Sequence, residues 1–264
     1  MFFAVILLTA IALAAKKSFA INFKNHSRIF LLALIAVFHL WVQVTGLQYT
    51  SASNTGWIIG VTPVFMALLG ILFFKEKLNF IKTSGIIIAF AGLFLLISKG
   101  NISNLIIISN KGDYLVLVSA ITWSIYSMVN KKISVEYSPL MTILFLFLMM
   151  MIIIAPFTLS YKTISALQFL PAKIWFAVIF LGLFCSGIAY VLWAQSLKEM
   201  ESAKVGAFLY FEPFVTVFAA WLILQEELTL LMLLSGIIIT LGVMLVNLHY
   251  SSFKRFKTKL RTPK

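Results

Sequence analysis

One acidic residue, Glu212, stands near the middle of a long apolar segment, directly before Pro213. An ionised carboxylate in hydrocarbon is costly, so such a residue faces a cavity or a partner. It can bind a substrate amine or a transported proton, or it is a protonated or paired structural glutamate. His39 and Gln43 form an i, i+4 pair on one helical face. A histidine there can titrate near neutral pH and couple proton flow, or sit neutral, bonded to a neighbouring helix. Ser119, Trp123, Tyr126 and Asn130 recur at 4, 3, 4 spacing, and Ser186, Tyr190 and Trp193 repeat the pattern. Such stripes line a cavity with stacking and hydrogen-bonding surfaces for an organic solute. The competing role is helix packing or an interfacial aromatic belt. Asn130 and Trp193 suit the belt, while Tyr126 and Tyr190 lie deeper and suit the cavity.

The elements that hold these residues must cross a membrane. Of 264 residues 62% are hydrophobic and only 11% charged, and no water-soluble fold of this size hides that much apolar side chain. Runs such as Ile86 to Leu96, Leu140 to Pro156 and Met232 to Leu248 carry no charge. A spanning helix needs about 20 mostly apolar residues, and such runs lie within segments of that length and lack the alternation of barrel strands. Runs and breakers place about nine spans: 1–15, 28–48, 55–74, 79–98, 112–131, 139–160, 174–196, 203–224 and 229–249. The expected fold is therefore all-α, a polytopic bundle in the lipid bilayer.

The net charge of +13 does not indicate a nucleic-acid partner, because the basic residues are spread over short loops between spans. Seventeen of the 21 fall in one alternating set of loops and the C-terminal tail 250–264. That set is expected to be cytoplasmic, in a plasma (inner) membrane, with the tail on anionic headgroups. The single cysteine, Cys185, can form no disulfide within the chain.

The two halves match at a constant offset of 150. Leu47 pairs with Leu197, Gly56 with Gly206, Pro63 with Pro213, Glu76 with Glu226, Leu78 with Leu228 and Gly92 with Gly242. Thr62 is then the counterpart of Glu212, which makes that position asymmetric. Lysines 75, 77 and 82 surround Glu76, whereas Gln225 and Glu227 flank Glu226 without a base. Opposite loop charge implies copies inverted in the membrane, as in many secondary transporters. Residues 112–249 supply five helices of one copy and residues 1–98 only four of the other. The repeat thus implies a helix preceding the present first one. Glu76 and Glu226, at span ends, are expected to hold their turns by hydrogen bonds and nearby lysines. Pro63 and Pro213 interrupt mid-span backbone bonding and permit bending.

Three stretches carry a resemblance. They are Gly46 to Gly92 with TPVFMALLGILFFKEKL, Gly112 to Lys132, and Leu181 to Gly242 with YFEPFVTVFAAWLILQEEL. Together they resemble the EamA-type family of the drug/metabolite transporter superfamily. That resemblance implies ten helices in two inverted repeats of five, both termini cytoplasmic, and a central cavity that the first helix helps to line. The expected function is a secondary transporter, acting as exporter or exchanger, of a small organic metabolite or amino-acid-like solute by alternating access. The substrate-cavity candidates are Glu212, Tyr126, Tyr190, Trp123, His39, Gln43 and Thr62, with Pro63, Pro213, Glu76 and Glu226 structural. Protons are the candidate coupling ion. No cofactor or metal is called for, and no phosphate-binding G-x4-G-K-[ST] loop supports ATP hydrolysis. An intramembrane enzyme needs clustered His, Asp, Ser or Cys, and the only aspartate, Asp113, lies at a span end. The remaining alternative is a non-transporting membrane subunit or a truncated, inactive remnant.

Overall fold

In the hydrocarbon core only helices and closed barrels satisfy their own backbone, and every regular element here is helical among the described residues. The computed structural model describes residues 1–19, 23–50, 55, 58–98, 110–158, 165, 169–212, 215, 222 and 230–247. The helices are α1 (Phe2–Ala14), α2 (Phe23–Leu47), α3 (Thr62–Phe74), α4 (Phe80–Ser98), α5 (Lys111–Glu136), α6 (Pro139–Thr158), α7 (Ala172–Phe180), α8 (Ala189–Glu199), α9 (Ser202–Ala207) and α10 (Leu230–Asn247). A π-helical stretch, Leu181–Ile188, joins α7 to α8, and a 3-10 turn, Phe208–Tyr210, follows α9. Ser27–Leu47, Lys111–Ser134, Pro139–Thr158 and Ala172–Glu199 are long and apolar enough to cross a membrane, and four shorter apolar helices occupy Phe2–Ala14, Thr62–Phe74, Phe80–Leu95 and Leu233–Asn247. These eight coincide with eight of the nine spans read from the sequence. The other, 203–224, is described only at 203–212, 215 and 222, and Pro213, Glu226 and the basic tail lie outside the described residues.

Contacts divide the chain into two units, Met1–Gln48 with Val118–Met200, and Tyr49–Leu117 with Glu201–Lys264. Neither is a sequence half, because each draws segments from both. In the first unit, α6 packs against α1, α2 and α8. Its core runs from Ala4 and Leu8 through Leu32 and Ala36 to Leu144, Phe147 and Met150. Glycines admit α1 to the π-helical stretch: a Cβ on Gly182 would stand 2.8 Å from the Phe3 Cβ.

In the second unit the principal contact is α4 along α10. A Cβ on Gly85 would lie 2.7 Å from the Gly242 carbonyl oxygen and the Val246 nitrogen. One on Gly92 would meet the Ile239 nitrogen at 2.8 Å, and one on Gly242 would meet the Ala89 Cα at 2.7 Å. Partner numbers fall along α10 as they rise along α4, so the helices run antiparallel. Close backbone approach at small residues is how helices associate in lipid, where burying apolar surface against a neighbour gains little over burying it in acyl chains.

One proline needs a correction. Pro63 was expected to interrupt the middle of a helix. Instead the span is broken ahead of it, by a turn at Gly60 and Val61, and Pro63 sits in the first turn of α3. There its missing N–H has no helical partner to lose. At the other end Lys75 adopts a left-handed conformation, φ 53°, and the Glu76 N–H reaches back to the Gly70 carbonyl at 3.2 Å. The Lys75 N–H reaches the same carbonyl, so both satisfy the last turn of α3.

The glycine contact sets an expectation. Gly242→Leu forces a branched side chain into Ala89 and should destabilise the protein by about 1–3 kcal/mol. Leu241→Ala, on an exposed neighbour, should change stability by about 0.5 kcal/mol or less. Thermal unfolding of the two variants in detergent measures the difference, and equal midpoints would remove this contact from the account.

Candidate functional site

The sequence stripes converge in the first unit on Trp123. Its ring lies 5.1 Å from that of Tyr126, nearly parallel, and 5.7 Å from that of Tyr190, nearly perpendicular. Trp193 is 5.8 Å away and His39 5.2 Å. Tyr126 and Tyr190 stand 6.1 Å apart, and Phe147 of α6 closes on Tyr190 at 5.3 Å. Offset and edge-to-face geometries at these distances are favourable for aromatic pairs. Helices α2, α5, α6 and α8 thus each contribute at least one ring. Tyr126 is fully buried, while Trp123, Tyr190 and Trp193 are half-buried.

Polar groups brace this cluster. The Trp193 Nε1–H donates to Ser127 Oγ at 3.1 Å. Asn130 Nδ2 donates to the Tyr126 hydroxyl at 3.4 Å, and Asn130 Oδ1 accepts from Ser134 Oγ at 3.0 Å. His39 Nδ1 lies 3.0 Å from the Ser119 carbonyl oxygen. Gln43, one turn along α2, is half-buried and makes none of these bonds.

Three details differ from the sequence reading. Asn130 has no exposed surface and Trp193 belongs to the aromatic cluster, so neither serves the interfacial belt in this unit. Ser186 falls in the π-helical stretch. There i→i+5 bonding replaces the α-helical spacing that placed it on the face of Tyr190. Ser127, Ser134 and Phe147 were not singled out. Ser134 follows Asn130 by four residues, a spacing visible in the sequence. Phe147 is one of many apolar residues in its run and carried no signal.

The second unit holds the remaining candidates. Thr62 and Pro63 are buried at the start of α3. Glu212 is helical, just past the 3-10 turn, with an exposed side chain. Glu76 does more than hold its own turn. Its two carboxylate oxygens accept the Ser202 N–H at 2.8 and 2.9 Å, the Ser202 hydroxyl at 2.9 Å and the Ala203 N–H at 3.4 Å. A carboxylate therefore caps α9 from 126 residues away, where the orphan N–H groups and the helix dipole both favour it. Gly70 leaves the room, since a Cβ there would stand 2.6 Å from Glu76 Oε2. Lys82, largely buried, pairs with Glu201 and donates to the Lys77 carbonyl at 3.2 Å. Asp113, fully buried, accepts the Thr50 hydroxyl and exchanges hydrogen bonds with Asn110 of 3.2 and 3.0 Å.

Apolar helices of spanning length, internal polar bracing and a buried aromatic cluster define a polytopic membrane protein. Residues 1–98 and 110–248 match the EamA-like transporter family, and the chain belongs to that family. An uncharacterized transporter of Archaeoglobus fulgidus is 31% identical over 81% of this chain and 73% of its own length. The uncharacterized transporter YyaM of Bacillus subtilis is 25% identical, covering 84% of this chain and 73% of its own. A probable terminal-alkyne amino-acid exporter of Streptantibioticus cattleyicolor is 25% identical over 76% of this chain and 66% of its own. One crystal structure superposes with a TM-score of 0.63 at 15% identity, covering 99% of this chain and 97% of that one. The family and these relatives are transporters, not enzymes.

The Glu76 cap is open to a direct measurement. Glu76→Ala leaves the first N–H groups of α9 without their partner and should cost about 1–2 kcal/mol. Glu76→Gln should recover part of that loss. In a double-mutant cycle with Ser202→Ala, thermal unfolding should show a coupling of about 0.5 kcal/mol or more. Strict additivity would mean that the two residues do not interact.

Proposed function

We propose that this protein is a secondary transporter that moves a small organic, amino-acid-like solute across the plasma membrane by alternating access. The observation that carries the proposal is the cluster of Trp123, Tyr126 and Tyr190, which combines ring faces and hydroxyls inside the first unit. The cluster receives the apolar body of the solute. Glu212, on the surface of its own unit yet inside an apolar span, is the candidate for a transported proton. An ionised carboxylate at such a depth is tolerable beside water or a cation and costly beside lipid. The relative named a probable terminal-alkyne amino-acid exporter supports the solute class and an outward direction.

The machinery for alternating access is the pair of inverted repeats, residues 1–98 and 112–249. Two features support this reading. Ala89 meets Gly242 and Gly92 meets Ile239, and under the offset of 150 each contact is the image of the other. A helix and its counterpart that meet antiparallel through equivalent residues are related by a two-fold axis across them, which inverts one copy relative to the other. Both counterpart spans also leave the α-helix just before their prolines, at Gly60 and Val61 in one and at Phe208–Tyr210 in the other. Broken helices near the middle of the membrane are where transporters bind solutes and bend. The charge distribution orients the C-terminus toward the cytoplasm.

Uptake and counterflow of a panel of labelled amino acids and amines in proteoliposomes test the proposal. Wild-type protein should carry at least one of them. Glu212→Gln should reduce coupled flux at least about tenfold with insertion intact, because the amide keeps the shape and loses the charge. Equal flux and equal pH dependence in the two proteins would return Glu212 to a structural role. A tag after Lys264 should be cytoplasmic and a reporter between Gly100 and Lys111 external; both on one side would contradict the orientation.

A further inference from the structure

His39 is held in one tautomer by the backbone of α5. Its Nδ1 lies 3.0 Å from the Ser119 carbonyl oxygen. A carbonyl only accepts, so Nδ1 carries the proton and donates it. Thr122 Oγ1 is 3.4 Å from the same nitrogen. It directs its own proton to the Val118 or Ser119 carbonyl, each at 2.9 Å, and so turns a lone pair toward Nδ1. In the neutral imidazole the other nitrogen, Nε2, is then an acceptor. No described residue donates to it. The ring is 5% exposed and lies tilted at 41° against Trp123, the centre of the aromatic cluster.

We infer that His39 determines solute specificity by presenting Nε2 as a hydrogen-bond acceptor to an amine, the aromatic rings beside it receiving the positive charge and the apolar body. The inference rests on the proposal that the Trp123 cluster is the solute site, and it names the class that this site selects. An acceptor with no donor among the described residues is satisfied by a ligand that brings one. An ammonium group supplies three N–H donors, and its charge is stabilised over the faces of Trp and Tyr rings. A carboxylate without an amine offers only acceptors, which Nε2 meets unfavourably. The bond from Nδ1 to Ser119 fixes which nitrogen faces the solute and keeps the ring from turning. His39 thus discriminates by the presence of a donor, as sites built around an obligatory hydrogen bond do.

The test uses two probes of similar body, phenethylamine and 3-phenylpropionate, with the full chain in lipid nanodiscs. Radiolabelled phenethylamine should bind the wild type, and 3-phenylpropionate should compete weakly. His39→Asn keeps an amide N–H where Nδ1 donates to Ser119 and removes the acceptor. It should weaken phenethylamine roughly tenfold or more and leave competition by 3-phenylpropionate unchanged. His39→Gln extends an amide oxygen to the place of Nε2 and should recover part of the affinity. Parallel loss of both probes in both variants, with lowered unfolding midpoints, would make His39 a packing residue and overturn the inference. So would unchanged phenethylamine binding in His39→Asn. Nitrogen NMR of histidine-labelled protein, with His39 assigned by its absence from the variant, separates the two levels of failure. A protonated Nε2 overturns the role of His39 alone. An unprotonated Nε2 in a wild type that binds neither probe overturns the solute site itself.

Discussion

Helices surrounded by hydrocarbon gain little by burying apolar surface against one another, so their association depends on close packing where side chains are small. This constraint explains where glycine sits. Gly85, Gly92 and Gly242 bring α4 and α10 into backbone contact, Gly182 and Gly187 admit α1 to the π-helical stretch, and Gly70 leaves room for the Glu76 carboxylate. Replacing any of them would place a Cβ 3.2 Å or less from a neighbouring atom. The same residues fix the direction and register in which the helices meet. The contact between the Gly92 and Gly242 segments is therefore the geometric basis of the repeat proposal as well as a packing contact.

A second consequence of the dry interior is that polar groups must answer one another. Glu76 satisfies the start of α9, Asn110 and Thr50 satisfy Asp113, and Glu201 pairs with Lys82. In the first unit Ser127 takes the indole proton of Trp193, and Asn130 takes a proton from Ser134 and gives one to Tyr126. These bonds hold the rings of the proposed solute site in fixed orientations. His39 differs because only one of its two nitrogens is engaged by described residues. Structural bracing and solute recognition are thus distinguished by whether the protein completes the bonding itself.

Much of this was legible in the sequence, and what was not has a common cause. Long uncharged runs gave the helices, since length and apolarity alone decide whether a segment can span. The 4, 3, 4 spacing gave Trp123 and Tyr126, because both lie on one regular helix. Glycines 92 and 242 were read as matching positions of the repeat, and both fall in the α4 and α10 contact. The Glu76 cap was hidden because its partner, Ser202, is distant in sequence and a backbone N–H has no residue signature. The π-helical stretch was hidden for a related reason: nothing in LGLFCSGI distinguishes i→i+5 from i→i+4 bonding. Ser186 was misplaced as a result, while Tyr190 and Trp193, beyond the stretch, kept their places. Pro63 was read as interrupting the middle of a span, and the break falls instead on Gly60 and Val61 before it.

Antiparallel meeting of α4 with its counterpart α10 joins the packing, the repeat and the proposed transport cycle. Disulfide cross-linking in native membranes measures it most directly, with paired cysteines in a background lacking Cys185. Ile86→Cys should cross-link rapidly with Val246→Cys, because those residues share one buried cluster. It should not cross-link with Leu233→Cys, which lies toward the other end of α10. The reverse pattern, Ile86 joined to Leu233 and not to Val246, would make the helices parallel and contradict the account.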